Sequence, residues 1–365
     1  MVFTLVVTVL VVLGALPVLL VIALSGAPSS LVLATVLAAL PVGPLVACYL
    51  WLDRYEPEPR TLLALGLLWG GFVATGGALV IQGIGGLALG FSETASVALV
   101  APVTEEASKG AFLLLLLWWR RAELDGVLDG IVYAGMVGIG FAFTENILYL
   151  AAAYNGTSGM GPGGVEEITA TFVLRCLVSP FAHPFFTTFI GVGVGLAVAS
   201  RSGAVRWLAP LGGYVLAVLT HGLWNGSTVF GFGGFLAVYA VLMLPAFLGL
   251  VAAAVWARRT ERRMLTHALT DAARRGLLPA TDIGWVVDLR GRRTARRFAL
   301  EQGGKQAEEA MASYQQAAIE LGFLHHRYLR GTPPPDFAAR GRDHVTVIGA
   351  LRPTLAFPGQ VVPTR

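Results

Sequence analysis

The chain has 365 residues, of which 55% are hydrophobic and only 13% charged, with a mean hydropathy of +0.70. Soluble domains run nearer 25% charged, so this composition excludes a disordered chain and argues against a soluble globular enzyme. The 45 glycines show no collagen-like period, and a multi-span membrane protein is the class that remains.

The formal charge of +4 is unevenly spread. Residues 1–257 hold 8 Lys/Arg against 12 Asp/Glu, while residues 258–365 hold 18 against 10. We therefore expect two domains: a membrane-embedded domain over 1–257 and a basic helical tail over 258–365. A basic region joined to a membrane domain reads as cytoplasmic and close to anionic lipid, with no nucleic-acid partner. The two cysteines, Cys48 and Cys176, lie in apolar stretches and read as packing residues.

A membrane span needs about 20 predominantly apolar residues. Eight such runs follow in chain order: roughly 2–24, 30–52, 61–90, 95–119, 127–153, 168–199, 206–230 and 232–257. The first lacks a positive N-terminal region and is longer than a leader's apolar core, so it reads as a span. Arg54 and Arg60 follow the second span, Arg120 and Arg121 the fourth, Arg201 and Arg206 the sixth, and Arg258, Arg259, Arg262 and Arg263 the eighth. The loops between, around 25–29, 90–94, 154–167 and 230–233, contain no Lys or Arg. The positive-inside rule then puts both termini in the cytoplasm. The third span is dense in glycine, which suits close helix packing in lipid. In the tail, 258–275 and 306–330 are rich in helix formers and end at Gly276 and Pro279 and at Pro333–Pro335. His325 and His326 are adjacent, and neighbouring side chains diverge by about 100° on a helix, so they do not read as a metal pair.

Four spans carry residues that do not belong in lipid. The fourth holds Glu105, Glu106 and Lys109, the fifth Glu145 and Asn146, the sixth His183, and the seventh His221 and Asn225. Each central charge costs about 2.5–3.5 kcal/mol on insertion scales, so the four charged groups would together cost on the order of 10 kcal/mol if isolated. They must be paired, neutralised or hydrated inside the bundle. Counting from span ends puts Glu105, His183 and His221 near mid-membrane and Glu145 somewhat nearer the outer face. Glu105 and Lys109, and likewise His221 and Asn225, are four residues apart and share a helix face.

Two hydrolytic chemistries suit this set. In one, Glu105 or Glu106 acts as general base toward water, His221 with Asn225 stabilises the oxyanion, and His183 orients the water or protonates the leaving amine. In the other, Glu145, His183 and His221 hold a zinc ion, two histidines and a carboxylate being a known hydrolytic set. The His-Glu-x-x-His helix of common zinc peptidases is absent. Neither a serine-hydrolase elbow nor a P-loop occurs. A proton-coupled transporter would also bury carboxylates and histidines, but the two halves share no repeated motif. A catalytically silent protein that binds a membrane partner is the other alternative, and an intact site favours activity over it.

At these residues the sequence resembles the PrsW family of intramembrane proteases. The matching pieces are Asp53-Arg54-Tyr55-Glu56-Pro57-Glu58-Pro59, Glu105-Glu106-x-x-Lys109, Asp129-Gly130-Ile131-Val132-Tyr133, Gly140-Phe141-x-x-x-Glu145-Asn146, His183-Pro184 and His221-x-x-Trp224-Asn225. They run in the family's order over roughly residues 50–230. The resemblance implies an all-α polytopic bundle and an intramembrane endopeptidase of the bacterial cell membrane. It implies kinship with CAAX prenyl endopeptidases and bacteriocin-immunity proteases. It also implies a membrane protein or peptide as substrate, such as an anti-sigma factor. Where that wider group often has Phe-x-x-x-His, this chain has Phe141-x-x-x-Glu145, which leaves the role of Glu145 open. The family is often described as metal-dependent, whereas its wider relatives look like glutamate proteases. The glutamate mechanism without a cofactor is preferred here, with zinc as the alternative.

Overall fold

The structure is a computed structural model that describes residues 2–24, 28–157 and 161–359. The predicted outer loops at 25–29 and 154–167 fall partly outside these residues. Every regular element among the described residues is helical, as an all-α bundle requires. The chain divides into two compact units, one comprising Met1–Asp53 with Glu58–Ala254 and the other Arg54–Pro57 with Val255–Arg365.

Against the expectation of eight spans, six helical segments among the described residues are long and apolar enough to cross a membrane. Two physical reasons account for the difference. The predicted fourth span, around the helix Ala101–Trp119, carries Glu105, Glu106 and Lys109 in its middle. The predicted seventh and eighth spans lie in one 72-residue helical segment, Gly203–Arg274, which turns at Gly231 with φ +70°. A straight helix of that length would run about 108 Å, several times the hydrocarbon thickness. The predicted sixth span is also interrupted. Helical turns over Val165–Phe172 and Val173–Val178 end at Ser179, and a new helix starts at Ala182 and runs to Ala199. Pro184 can sit in the first turn of that new helix because no backbone N–H is needed there.

The axis of the membrane unit is the helix Val127–Asn155, buried on nearly every face. Glycines make this burial possible by letting other backbones approach it directly. A Cβ on Gly130 would lie 2.1 Å from the carbonyl oxygen of Gly191, and one on Gly140 would lie 1.9 Å from that of Leu67. Gly138 faces the backbone of Pro184 in the same way, which brings the start of the Ala182–Ala199 helix against the axis. The axis begins at an Asp129 cap, where one carboxylate oxygen accepts from the N–H groups of Asp125 and Gly126 at 2.8 and 2.9 Å. Asp129 thus fixes the start of its helix as a cap. In the Asp53–Pro59 motif, Asp53 accepts from the Glu58 N–H at 2.8 Å, and the Tyr133 hydroxyl donates to Glu58 at 2.6 Å. Burial pushes the Asp53 carboxyl up to about 7.

Four stretches of π-helix interrupt this unit: Trp69–Ala74, Ser96–Val100, Val173–Val178 and Tyr239–Met243. Such widened turns leave backbone carbonyls open to side-chain donors and often mark functional regions. Two of them recur in the site described below.

The second unit is a small helical domain. Its core contains Leu265, Leu269, Ala272, Tyr314, Ala318 and Phe357. Buried Asp282 accepts from Tyr314 at 2.6 Å and takes two bonds from the Arg352 guanidinium. The helix Leu289–Leu329 starts well before the position expected from composition and is broken at Gly303 and Gly304. A further helix, Phe337–Leu351, was not anticipated. The two adjacent histidines do separate: His325 is buried and bonded to Asp271 at 2.7 Å.

The close approaches yield a direct prediction. Gly140→Ala, which forces a methyl into the Leu67 carbonyl, should lower unfolding stability in detergent by about 1–3 kcal/mol. Gly212→Ala, whose Cβ meets nothing within 4 Å, should not lower it. Equal thermal midpoints for the two variants would contradict the packing assigned to the axis helix.

Candidate active site

Three helices bring polar groups together inside the bundle. Ala101–Trp119 supplies Glu105, Glu106 and Lys109, Ala182–Ala199 supplies His183 and Thr187, and Gly203–Ser227 supplies His221. The axis helix adds Glu145. Lys109 and Glu106 are fully buried, and His221, Glu105 and His183 are at most 8% exposed.

Lys109 is the hub. Its ammonium donates to Glu106 Oε1 at 2.8 Å and to His183 Nδ1 at 3.0 Å, stands 3.8 Å from Glu105 Oε2, and lies 3.6 Å from the centre of the Phe141 ring. An ammonium can only donate, so His183 Nδ1 must accept. The His183 proton then sits on Nε2, which donates to Glu145 Oε2 at 2.6 Å. Hydrogen-bond logic therefore assigns a neutral His183 with both nitrogens engaged.

The two adjacent carboxylates differ sharply. Both oxygens of Glu106 are engaged: it accepts from Lys109, from His221 Nδ1 at 2.9 Å and from the Thr187 hydroxyl at 3.0 Å. Glu105 accepts one bond on Oε1 from Gln82 at 3.2 Å, and its buried Oε2 takes no hydrogen bond from the protein. That oxygen stands 3.8 Å from both the Lys109 ammonium and His221 Nε2. His221 is held flat against Phe186, with ring centres 4.7 Å apart and planes 14° apart.

Sequence reasoning missed Arg175. It lies in the π-helical stretch Val173–Val178, forms a close ion pair with Glu145, donates to Asn146 Oδ1 at 2.8 Å, and stacks over Tyr149. The signal was available as an arginine inside an apolar run with no loop to belong to. Arg175 neutralises Glu145, and Glu145 in turn orients His183. Two cations thus face three carboxylates at this site. Thr187 and Gln82 were also missed, because a single polar side chain of that kind in a span is unremarkable by itself.

Asn225 is not brought to the cluster. Its amide donates to the Val97 carbonyl at 3.0 Å, in the π-helical stretch Ser96–Val100. Its spacing to His221 is right, but the widened turn claims its side chain. Asn146 lies against Cys176 and Arg175, away from Glu105.

Among the described residues, Glu105, His183 and His221 have donor atoms within 4.8 Å of one another. This differs from the zinc set expected from sequence, since Glu105 takes the place of Glu145, which is occupied by Arg175 and His183. Two imidazoles and one carboxylate, whose buried Oε2 takes no hydrogen bond from the protein, are the donor kinds of a zinc site, but His183 would have to release Lys109 or Glu145 to bind an ion. The ammonium of Lys109 lies beside the same atoms and would have to coexist with such an ion.

These features define a membrane-embedded helical protein with a buried carboxylate–histidine–lysine centre, the class to which intramembrane hydrolases belong. Residues 58–250 match the profile of the PrsW family intramembrane metalloproteases, and the chain belongs to that family. It is 29% identical over 175 residues to protease PrsW of Geobacillus kaustophilus, covering 47% of this chain and 69% of that protein. It is 33% identical over 123 residues to protease PrsW of Bacillus subtilis, covering 33% and 47%. It is 28% identical over 133 residues to that of Oceanobacillus iheyensis, covering 36% and 54%. The chain thus spans about half the length of the latter two relatives. No solved structure matches it.

Removing one partner of a buried ion pair leaves an uncompensated charge, at a cost of about 3–5 kcal/mol. Lys109→Met should therefore destabilise the detergent-solubilised protein by that order, and Lys109→Met combined with Glu106→Leu should recover most of the loss. Additive losses in this double-mutant cycle would show that the two side chains do not interact.

Proposed function

We propose that the chain is an intramembrane endopeptidase in which Glu105 is the general base. The observation that carries this reading is the contrast between the two glutamates. Both oxygens of Glu106 are engaged, by Lys109, His221 and Thr187, whereas Glu105 Oε2 is buried and takes no bond from the protein. A base must reach the proton it removes, and only Glu105 has an oxygen free to do so.

The chemistry follows from the partners. The water to be activated donates one proton to Glu105 Oε2 and the other to His221 Nε2, whose lone pair is open because Nδ1–H points at Glu106. As the water oxygen attacks the scissile carbonyl carbon, Glu105 takes its proton. Lys109 has three donors, two of them engaged, and the third stabilises the oxyanion in a medium of low dielectric. Collapse breaks the C–N bond, and Glu105 returns the proton to the leaving amine. His183, Glu145 and Arg175 position Lys109 from behind. In this reading His183 does not touch the substrate, and Asn225 fixes the helix that carries His221.

The substrate is a membrane protein or peptide, and a membrane-anchored regulator such as an anti-sigma factor suits a family member of the bacterial cell membrane. The Glu-Glu, His and His-x-x-x-Asn order also supports kinship with the CAAX prenyl endopeptidases and bacteriocin-immunity proteases.

A second reading rests on the same atoms. A zinc ion would be held by Glu105, His183 and His221, and it would supply Lewis-acid polarisation of the carbonyl and of water. The two readings separate on full-length protein reconstituted with a panel of membrane-spanning peptides. Glu105→Gln should lower the cleavage rate by about 100- to 10,000-fold with little change in unfolding midpoint, and a chelator should leave the wild type active. Activity lost to the chelator and restored by zinc would overturn the metal-free mechanism. Undiminished cleavage by Glu105→Gln would overturn the assignment of the base.

A further inference from the structure

A cavity of about 500 Å³ lies in the second unit, far in sequence from the carboxylate–histidine centre. It is lined by Tyr55, Arg258, Arg259, Arg262, Arg263 and Thr266. Arg258, Arg262 and Thr266 form one i, i+4 stripe on the helix Leu244–Arg274, and Arg259 with Arg263 forms the adjacent stripe. Tyr55 is held in place: buried Arg292 donates to its carbonyl at 3.0 Å, and the Arg258 and Arg292 guanidinium groups lie 5.1 and 5.8 Å from its ring centre. Arg54 and Glu261 are charged groups that act on Arg258. Neither is among the described residues that line the cavity, and none of those carries a carboxylate.

Four guanidinium groups within six residues repel one another, and like charges at i, i+4 weaken a helix. A tetrahedral oxyanion would convert that repulsion into charge-assisted bonds, because the guanidinium fork matches phosphate oxygens two at a time. The helix also places these groups at a particular depth. Trp256, 67% exposed, precedes Arg258 by two residues and ends the apolar run 232–257. Tryptophan concentrates at the membrane–water interface, and basic residues directly beyond such a point sit at headgroup level.

We propose that this cavity binds a phosphate-bearing anion, and that its occupant is the headgroup of an anionic phospholipid of the leaflet facing the tail. Its chemistry is shared with free phosphate, so the test must distinguish the two sources.

The full-length protein, purified in neutral detergent, is examined by native mass spectrometry with phosphatidylglycerol, with phosphatidylcholine, and with inorganic phosphate added alone or as competitor. Phosphatidylglycerol should be retained in preference to phosphatidylcholine. Its affinity should fall about fivefold for Arg262→Gln and about thirtyfold for Arg258→Gln with Arg262→Gln. Inorganic phosphate binding without any lipid preference would replace the lipid headgroup with a soluble anion as the occupant. Equal retention of both lipids together with no phosphate binding, or unchanged affinity in the paired variant, would overturn the site. Should the variants misfold, the wild type decides the matter through arginine modification by phenylglyoxal. Phosphatidylglycerol should slow labelling of Arg258–Arg263 while phosphatidylcholine does not, and labelling unaffected by either anion would overturn the proposal.

Discussion

Everything at the centre of this protein depends on one ammonium group buried where lipid would otherwise surround it. An isolated lysine in hydrocarbon is costly, so Lys109 must find acceptors, and it finds them on its own helix and on a neighbouring one. Glu106 and His183 answer it directly, and each is tied to a further group: Glu106 to His221 and Thr187, His183 to Glu145. The need to satisfy one charge thus fixes the relative positions of four helices. Removing the chain of bonds at any point would strand a charged or polar group in a medium that cannot hydrate it.

The scaffold makes such contacts reachable because its backbones touch. Glycines along Val127–Asn155 let the axis helix meet the carbonyls of Gly191 and Leu67 and the backbone of Pro184. With larger residues there, His183 would stand back from the axis and lose Glu145. The π-helical turns serve the same end locally. One carries Arg175 to Glu145, and another exposes the Val97 carbonyl to Asn225. One asymmetry remains: both Glu106 oxygens are bonded, whereas Glu105 Oε2 takes no hydrogen bond from the protein.

Much of this was legible in the sequence for an energetic reason. Charged and imidazole side chains inside apolar runs are too costly to be incidental, so Glu105, Glu106, Glu145, His183 and His221 declared themselves. The division of labour between Glu105 and Glu106 did not, because it depends on which side chains arrive from other helices. Arg175 was passed over because its run was read as one continuous span, whereas the chain breaks at Ser179 and resumes at Ala182. Asn225 was placed near His221 by helical spacing alone, which cannot foresee a competing carbonyl. Glu145 was grouped with the two histidines as a candidate metal set, and spacing could not foresee that Arg175 and His183 would engage its carboxylate. In the tail, the helix Phe337–Leu351 was hidden behind the prolines at 333–335, which stop one helix without forbidding the next.

The central claim is that these side chains form one bonded cluster, and solid-state NMR on the full chain in bilayers tests it most directly. With carbon-labelled glutamate and nitrogen-labelled histidine, His221 Nδ1 should couple strongly to the Glu106 carboxyl, 2.9 Å from its oxygen, and His183 Nε2 to that of Glu145, 2.6 Å from its oxygen. Glu106→Gln should remove the first of these carboxyl correlations and leave the second in place. Histidine rings without any glutamate carboxyl neighbour would contradict the account at its root.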